Sequence, residues 1–340
     1  MKLITFTVPC YNSAAYMRKC IDSILPGGSD IEIIIVDDGS TDDTGRIADE
    51  YQAAYPDIVR VIHQENGGHG EGVNQGIRHA SGLYFKVVDS DDWVDPDAYA
   101  ELMTCLRRFA EMPEPVDMVV CNYVYEHVQD NTRHTISYHH IIPIGRVCTW
   151  NDIGWFPPTQ CLAMHSVFYR TQILRDIKLE LPKHTFYVDN LYVYIPLPSV
   201  KSIYYLDADF YRYFIGRADQ SVTEENLIRR IDQHLLVTRT VLAAHDLYAI
   251  KEQNRRLYRY LMHFCSIMML IPTTFLTISG TEEHLRKRTE LWEYLRSVNP
   301  KLYGSMRFLS PNIVFIVPGK MGRALDVAGY RITRRVIKFN

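Results

Sequence analysis

Three carboxylates occupy four positions of the stretch VVDSDDWVD, residues 87–95, directly after the apolar run LYFKVV. They belong to Asp89, Asp91 and Asp92. Two unit charges about 4 Å apart repel by roughly 1 kcal/mol even in bulk water, and by more where water is scarce. The stretch therefore predicts a positively charged partner at this point of the chain.

The spacing of Asp89 and Asp91 suits one shared ligand. In an extended segment, residues two apart project to the same side, so both carboxylates can address one ion while Ser90 points away. A divalent cation such as Mg²⁺ or Mn²⁺ prefers one or two carboxylates together with substrate phosphates. The alternative is a solvated acidic turn that caps the next helix, and this is our interpretation of Asp92 and Asp95.

Strand and helix patterns alternate through the first 110 residues and would position these carboxylates. The apolar runs LITFTVP, IEIIIVDD, IVRVIHQ and LYFKVVD predict buried strands. Helical patterns lie between them; one is entered through Ser13 as N-cap, and another begins at Asp95-Pro96. The alternation predicts a mostly parallel sheet flanked by helices. Ligands bind at the carboxyl ends of such strands, where PCYN, DDGS, NGGHGEG and DSDD all fall.

The glycine-rich stretch near residue 70 does not fit a dinucleotide-binding motif. The spacing of Gly68, Gly70 and Gly72 does not match G-x-G-x-x-G, because Val73 occupies the position of the last glycine. No G-K-[ST] follows any glycine-rich loop, as a phosphate-binding loop would require. A Rossmann oxidoreductase is therefore disfavoured.

Composition limits the class of protein and its compartment. The 340 residues carry a net charge of -3, so no nucleic-acid partner is predicted. Seven cysteines without a C-x-x-C pair suggest neither a zinc site nor a disulfide framework and fit a reducing cytoplasm. The N-terminus reads as a strand and not as a signal peptide. The longest apolar stretch, 261–278, is interrupted by polar residues and Pro272, which disfavours a membrane span.

Three regions are predicted from changes of pattern along the chain. Residues 1–112 and 113–220 form two halves of one domain, the second rich in proline and aromatic residues, and residues 221–340 form a helical C-terminal region. The chain ends in a basic segment whose cationic side chains are Lys320, Arg323, Arg331, Arg334, Arg335 and Lys338. Such a segment could make peripheral contact with the inner face of a membrane. The alternative is a docked helix with a solvated basic face.

Four ordered blocks resemble family 2 glycosyltransferases of the GT-A fold. They are VPCYN (8–12), VDDGSTDDT (36–44), ENGGHGEGVNQG (65–76) and VVDSDDW (87–93). The resemblance implies an α/β, GT-A-like Rossmann-type fold with a helical C-terminal extension. In this fold, residues 1–112 would be the nucleotide-sugar-binding half and residues 113–220 the acceptor-binding half. It also implies inverting, metal-dependent transfer of a sugar from a UDP-sugar to the hydroxyl of a saccharide or lipid-linked acceptor, in polysaccharide, cell-wall or glycoconjugate synthesis. The Q-x-x-R-W motif of processive members is absent, so non-processive addition is expected.

The resemblance assigns the donor nucleotide to the first two blocks. Pro9, Tyr11 and Asn12 would line the base pocket, with the Tyr11 ring available for stacking. Asp38 would accept the N3–H of uracil, a donor that cytosine lacks. The alternative for PCYN is helix capping through Asn12 or Ser13.

The third block, with Gly67, Gly68 and Asn74, would let backbone approach the donor closely, beside Asp89 and the metal ligand Asp91. The alternative is an ordinary turn into the next helix.

One departure from the family concerns charge at this loop. Many relatives have Ala-Arg-Asn where this chain has GVN (72–74), so an arginine that could face the phosphates is missing. His69, Lys86 or Arg217 could replace it.

The general base is expected in FYVDNLYVY, residues 186–194. Relatives have a Glu-Asp pair there, whereas Val188 precedes Asp189 in this chain, which leaves Asp189 as the predicted catalytic base. The alternative is a helix-capping aspartate. His165 and His184 are expected to be structural. Aromatic residues around the base could form a sugar platform or belong to the core: Phe186, Tyr187, Tyr192 and Tyr194.

Two other functions remain open from sequence. A non-catalytic nucleotide-sugar-binding or partner-binding module would keep the donor pocket without turnover. A nucleotidyltransferase also uses paired carboxylates and a metal, but it usually needs a basic glycine-rich loop after the first strand, which PCYN is not. The sequence does not show which sugar is transferred or which acceptor receives it.

Overall fold

The computed structural model describes residues 2–127, 130–216 and 224–309, together with the single residues 312, 327 and 331. The chain divides into two compact units. The first comprises Met1–Trp155 and Leu162–Ala218, and the second comprises Phe156–Cys161 and Asp219–Asn340. Both predicted halves, 1–112 and 113–220, thus fall almost wholly in the first unit; their division between donor and acceptor binding stays a prediction.

The first unit is built on one mixed sheet. Its strands are β1 (Ile4–Cys10), β2 (Ile31–Asp37), β3 (Val59–His63), β4 (Tyr84–Val87), β5 (Trp93–Val94), β6 (Met118–His127), β7 (Thr132–Ile136), β8 (Val147–Cys148), β9 (Val167–Arg170) and β10 (Ile203–Ile215). The strand order is β3-β2-β1-β4-β9-β6-β10-β5, with β7 beside β6 and β8 beside β10. Strands β1 to β4 are parallel, and β9 runs antiparallel to both of its neighbours.

Helices connect these strands as the apolar patterns predict. Those of the first unit are α1 (Met17–Ile24), α2 (Thr44–Ala54), α3 (His69–His79), α4 (Pro96–Ala110), α5 (Thr171–Asp176) and α6 (Asp189–Tyr194). All seven residues of β1 are buried, as expected of a parallel strand covered on both faces.

The strand order reverses between β1 and β4, and this reversal positions the site. The chain proceeds from β1 to β2 and β3, then crosses back to place β4 on the other side of β1. Cys10 pairs with Asp37, and Thr7 pairs with Val87, so the ends of β1, β2 and β4 lie side by side. Such a switch point opens a crevice beyond the carboxyl ends of the strands.

The predicted start of α4 is correct, whereas that of α1 is wrong. The Asp95 side chain accepts two backbone N–H groups of the first turn of α4, both at 3.1 Å. Helix α1 begins at Met17 without a side-chain cap. Ser13 is instead drawn to the fourth strand's loop, where its hydroxyl bonds that of Ser90 at 2.7 Å.

The described C-terminal part of the second unit, from residue 224 onward, is helical, as predicted. Its helices are α7 (Glu224–Arg229), α8 (Ile231–Ala243), α9 (Leu247–Gln253), α10 (Arg255–Ser279), α11 (Glu282–Val298) and α12 (Pro300–Leu309). Among the described residues, α10 alone is long and apolar enough to cross a membrane, and 61% of its apolar window is buried inside the structure, as in a core helix. The basic segment 319–340 lies outside the described residues, except residues 327 and 331.

Candidate functional site

The acidic stretch after β4 forms a tight turn, which corrects the extended geometry expected from sequence. The Asp92 N–H donates to the Asp89 carbonyl at 3.0 Å, so Ser90 and Asp91 occupy the corner. The β-ladder ends before this point, because β4 stops at Val87. Asp89 and Asp91 remain partly exposed while Asp92 is buried.

Asp92 anchors the turn to β10 and does not cap α4. Its Oδ2 accepts the Tyr211 hydroxyl at 2.6 Å, and its Oδ1 accepts the Phe214 N–H at 2.8 Å. Burial raises the pKa of this carboxyl well above its ordinary value, and the charges of Asp91 and Asp89 add to the effect. Asp92 therefore positions the other two carboxylates.

Asp89 pairs with His69, the first residue of α3. The His69 Nε2 lies 2.8 Å from Asp89 Oδ1, and the Asp89 N–H donates to the Tyr211 hydroxyl at 3.1 Å. Burial favours a higher pKa for Asp89, but the hydrogen bond and charge of His69 bring the pKa below its ordinary value. Burial favours a lower pKa for His69, yet Asp89, Asp189 and Asp91 together raise it. The charges of three predicted site carboxylates thus act on His69.

Asp189 is the first residue of α6 and lies within electrostatic reach of this cluster. Burial raises the pKa of its carboxyl; the charge of His69 opposes the shift and that of Asp89 reinforces it. Asn190 donates from Nδ2 to Asp189 Oδ1 at 3.2 Å. A carboxylate with a raised pKa beside a metal-type cluster has the properties of a general base.

Backbone contacts join the glycine loop to the segment before α6. The His184 N–H donates to the Gly67 carbonyl at 2.7 Å. Gly68 has a φ of 83°, and a Cβ there would lie 2.9 Å from the His184 nitrogen. Only glycine allows both this backbone conformation and this close approach.

Asp38 holds the glycine loop from the opposite side. Its carboxylate accepts the Gly67 N–H at 2.7 Å, the Gly68 N–H at 2.8 Å and the Gln64 side-chain amide at 2.6 Å. The residue is only 3% exposed. A carboxylate offers about four lone-pair sites, so one further donor can still be accepted.

Asn74 does not join the cluster. It is 1% exposed, donates from Nδ2 to the Leu181 carbonyl at 2.9 Å and accepts the Leu181 N–H at 2.9 Å. Its amide also donates to Glu71 at 3.1 Å. Through these hydrogen bonds, Asn74 links α3 to the segment before α6.

The first predicted donor block forms one surface with the second. Pro9 is buried in β1, whereas Tyr11 is 53% exposed. Asn12 has a φ of 51°, and its Oδ1 accepts the Thr41 N–H at 2.8 Å. Its own N–H donates to the Ser40 hydroxyl at 3.0 Å. Asn12 therefore ties PCYN to DDGST and leaves the Tyr11 ring at the surface.

Among the candidates for the missing arginine, the structure places only His69 at the carboxylates. The Lys86 amine is buried and donates to the carbonyls of Met164 at 2.6 Å, His165 at 2.6 Å and Val167 at 3.3 Å. Burial lowers the pKa of Lys86 to about 7. The hydrogen bonds of Lys86 stabilise the segment that leads into β9. The third candidate, Arg217, lies outside the described residues.

We expect Lys86→Met to destabilise the protein by roughly 2–4 kcal/mol, because buried carbonyls would lose their donor. Urea unfolding measures the change in the free energy of unfolding. Lys201→Met, at an exposed lysine, is the control and should change little. Equal stability of Lys86→Met and wild type would refute the structural role.

His165 has features that sequence did not reveal. Its ring stacks on Tyr211 and Tyr213, each at a centroid distance of 4.7 Å. Burial lowers its pKa to about 4, so the imidazole is neutral at neutral pH. Its Nδ1 is buried, and no hydrogen-bond partner for it is found within the described part of the chain.

The donor set fits a divalent cation. One ligand atom each of Asp89, Asp92 and His165 lie within 4.8 Å of one another. Carboxylates with a neutral imidazole suit Mn²⁺, and carboxylates alone suit Mg²⁺. The contacts of His165 and Tyr211 to the acidic turn span long stretches of sequence, and no local pattern signals them.

The aromatic residues near Asp189 separate into core and surface. Tyr192 and Tyr194 are fully buried, so they cannot serve as a sugar platform. Phe186 is 42% exposed.

Comparison with known families decides the identity of this fold and site. The model of "Glycosyl transferase family 2" matches residues 5–175, which is half of the chain. The chain belongs to glycosyl transferase family 2. The match includes β1 to β4, the acidic turn and His165, and the recognised family is the one that the four blocks resemble.

Curated relatives are similar to part of this chain. The putative glycosyltransferase EpsH of Bacillus subtilis (strain 168) is 44% identical over 124 residues, which cover 36% of this chain and 34% of EpsH. Chondroitin synthase of Escherichia coli is 44% identical over 108 residues, covering 32% of this chain and 15% of that protein. The matches thus span about a third or less of these relatives' lengths.

Solved structures show that the fold is of the GT-A type, as predicted. S. aureus TarS 1–349 in complex with UDP-GlcNAc has a TM-score of 0.66 at 19% identity, covering 99% of this chain and 92% of that chain. The mannosyltransferase PcManGT from Pyrobaculum calidifontis, in complex with GDP-Man and Mn²⁺, has a TM-score of 0.51 at 14% identity, covering 98% and 86%. At these identities the likeness concerns the fold.

Proposed function

We propose that this chain is an inverting, metal-dependent glycosyltransferase that moves a sugar from a UDP-sugar to an acceptor hydroxyl, in polysaccharide, cell-wall or glycoconjugate synthesis. The observation that carries the proposal is the pair of His69 and Asp89, on which the charges of Asp91 and Asp189 also act. Asp89 and Asp91 lie in the turn after β4 and Asp189 begins α6, so these carboxylates come from segments about 100 residues apart in sequence.

The ionised Asp189 carboxylate performs the proton transfer in this reaction. It takes the proton of the acceptor hydroxyl as the acceptor oxygen forms a bond to the anomeric carbon. The bond from that carbon to the diphosphate breaks on the opposite face, and its electron pair leaves with the diphosphate oxygen. Burial of Asp189 strengthens it as a base, because its conjugate acid has a raised pKa.

Asp91 and Asp89 would hold a Mg²⁺ or Mn²⁺ ion, with His165 as a further candidate ligand. Such an ion would stabilise the negative charge that develops on the leaving diphosphate. Asp92 and Tyr211 fix the turn that presents these side chains. The Mn²⁺ in the complex of PcManGT supports a divalent cation at this fold.

The donor nucleotide would bind beside Asp38, Tyr11 and the glycine loop. Asp38 already orients the Gly67 and Gly68 amides and retains capacity for one more donor, such as the uracil N3–H. The complexes of TarS with UDP and UDP-GlcNAc favour a uridine nucleotide, whereas PcManGT binds GDP-Man. The selectivity of this chain for the nucleotide base therefore tests the proposed role of Asp38.

Asp38→Ala should weaken UDP binding and narrow its preference over CDP and GDP, because both the uracil contact and the loop anchor are lost. Calorimetric titration of each nucleotide with Mn²⁺ measures the preference. Asp43→Ala removes an exposed carboxylate from the same block, VDDGSTDDT, and should keep the wild-type preference for UDP. Equal wild-type affinities for UDP, CDP and GDP would contradict the uracil assignment.

A donor screen tests the catalytic proposal against a binding module. Purified protein is incubated with UDP-glucose, UDP-galactose, UDP-GlcNAc and UDP-glucuronate, with Mn²⁺ or with a chelator, and UDP release is followed. Metal-dependent release of UDP from at least one donor is expected. Binding of UDP-sugars without any release would favour the non-catalytic alternative.

A further inference from the structure

A row of aromatic side chains crosses three neighbouring strands of the first unit. His134 of β7 lies opposite Tyr125 of β6, and Tyr125 lies opposite Tyr213 of β10. Residues directly opposite one another on adjacent strands project to the same face of a sheet. We call Tyr213, Tyr125 and His134 the aromatic row.

The aromatic row is continuous with the carboxylate cluster. The His165 ring stacks on Tyr213 at 4.7 Å and on Tyr211 at 4.7 Å. Tyr211 in turn donates its hydroxyl to Asp92. The row therefore begins beside the candidate metal ligands and leads away from them.

The outer end of the row presents two parallel rings. Tyr125 and His134 are inclined by only 2°, with centroids 6.3 Å apart, and Tyr213 meets Tyr125 at 5.6 Å. His134 is exposed, and both tyrosines are partly exposed. Ring faces carry negative charge density and attract the weakly positive C–H groups of a ligand.

Charged residues of the same strands lie on the opposite face. Glu126 accepts from Arg212 at 3.0 Å and from Arg133 at 2.9 Å. These residues alternate with those of the aromatic row along their strands, so they point the other way. The row thus offers aromatic surface and hydroxyl groups without the charges of its own strands, which suits an uncharged ligand with a C–H-rich face.

The sheet order separates the aromatic row from the predicted donor pocket. The pocket residues follow β1 and β2, the acidic turn follows β4, and the row lies on β6, β7 and β10 beyond β9. The carboxylates therefore lie between the two surfaces. A group transferred at the carboxylates would pass from one surface to the other.

We propose that the aromatic row is an acceptor subsite that takes a saccharide, with a pyranose ring lying on Tyr125 and His134. A pyranose has C–H groups on its ring faces and hydroxyls at its edge, which match aromatic faces and tyrosine hydroxyls. The inference rests on the proposed glycosyl transfer and names the class of its acceptor. The Tyr125 and His134 rings are positioned for binding and take no part in bond making.

Saturation-transfer NMR with neutral trisaccharides tests this subsite. The probes are cellotriose, maltotriose and chitotriose at millimolar concentration, and UDP with Mn²⁺ is titrated in parallel. At least one probe should bind the wild type, and Tyr125→Ala and His134→Ala should each weaken it about tenfold. Tyr125→Phe, which keeps the ring and loses only the hydroxyl, should weaken binding less than Tyr125→Ala does. Tyr55→Ala, at an exposed tyrosine on another surface, should bind as wild type. UDP affinity should be the same in all variants.

Each other outcome has a defined meaning. Unchanged probe binding in both alanine variants, or no binding of any trisaccharide to a wild type that binds UDP, overturns the subsite and leaves the proposed function standing. Loss of UDP affinity in Tyr125→Ala would assign the row to the donor base and also overturns the inference. Failure of the wild type to bind UDP with Mn²⁺ counts against the proposed function itself.

Discussion

Asp91→Ala should lower the rate of sugar transfer by roughly a thousandfold or more while the fold persists, because a cation at the leaving diphosphate contributes several kcal/mol to the transition state. Asp91 lies at the corner of the acidic turn and is partly exposed. Its charge acts on both His69 and Asp92. The fold should tolerate the change, since the turn is anchored by Asp92 and not by Asp91.

Two measurements separate this effect from unfolding. Rates are determined across a range of Mn²⁺ concentrations, and Mn²⁺ binding is followed by electron paramagnetic resonance. Asp97→Ala, in the exposed first turn of α4, should retain wild-type rates and Mn²⁺ affinity. Asp89→Ala should weaken both Mn²⁺ and donor binding. Retention of most metal-dependent turnover in Asp91→Ala would refute its assignment as a ligand.

The second large effect is expected for Asp189→Asn, which should lower kcat at least roughly 100-fold with donor affinity nearly unchanged. The amide keeps the size of the side chain but cannot take the acceptor proton. Presteady-state turnover and a separate UDP titration distinguish catalysis from binding. Asp176→Asn, at an exposed carboxylate of α5, serves as the control. Wild-type turnover in Asp189→Asn would remove this residue from the mechanism.

The same substitution should stabilise the fold at neutral pH. Burial raises the pKa of Asp189, so the folded state binds this proton more tightly than the unfolded state does. The ionised side chain therefore costs stability above the raised pKa, and this cost disappears as the pH falls below the ordinary aspartate value of about 3.9. Thermal unfolding of Asp189→Asn should show a higher Tm than wild type at neutral pH, with the gain shrinking toward acid. A lower Tm at neutral pH would contradict the raised pKa of Asp189.

Local patterns in the sequence predict the parallel half of the sheet well. Strands β1, β2 and β4 are rich in apolar residues, and both faces of such strands are covered, so burial and sequence agree. The start of α4 follows from Asp95-Pro96, whose roles are decided by the backbone of one turn.

The sequence did not predict the long-range contacts that form the candidate site. The acidic stretch was expected to be extended, but it forms a turn. Asp92 in this turn accepts hydrogen bonds from the Tyr211 hydroxyl and the Phe214 amide, which lie more than 100 residues away in sequence. Ser13 looked like a helix cap and instead bonds Ser90. His165 was expected to be structural, which stays a prediction, and its stacking on Tyr211 and Tyr213 has no local signal in the sequence. Periodicity reports local burial, and none of these contacts is local.

The central claim, that this crevice binds a uridine nucleotide through a divalent cation, is tested most directly by thermal unfolding with nucleotides. UDP, CDP and GDP are compared with and without Mn²⁺, in wild type and in Asp91→Ala. A ligand at 100 times its Kd stabilises the folded state by about 2.7 kcal/mol. The account predicts the largest rise in Tm for UDP with Mn²⁺ in the wild type and little rise in Asp91→Ala. No shift with any nucleotide, or equal shifts with and without Mn²⁺, would contradict it.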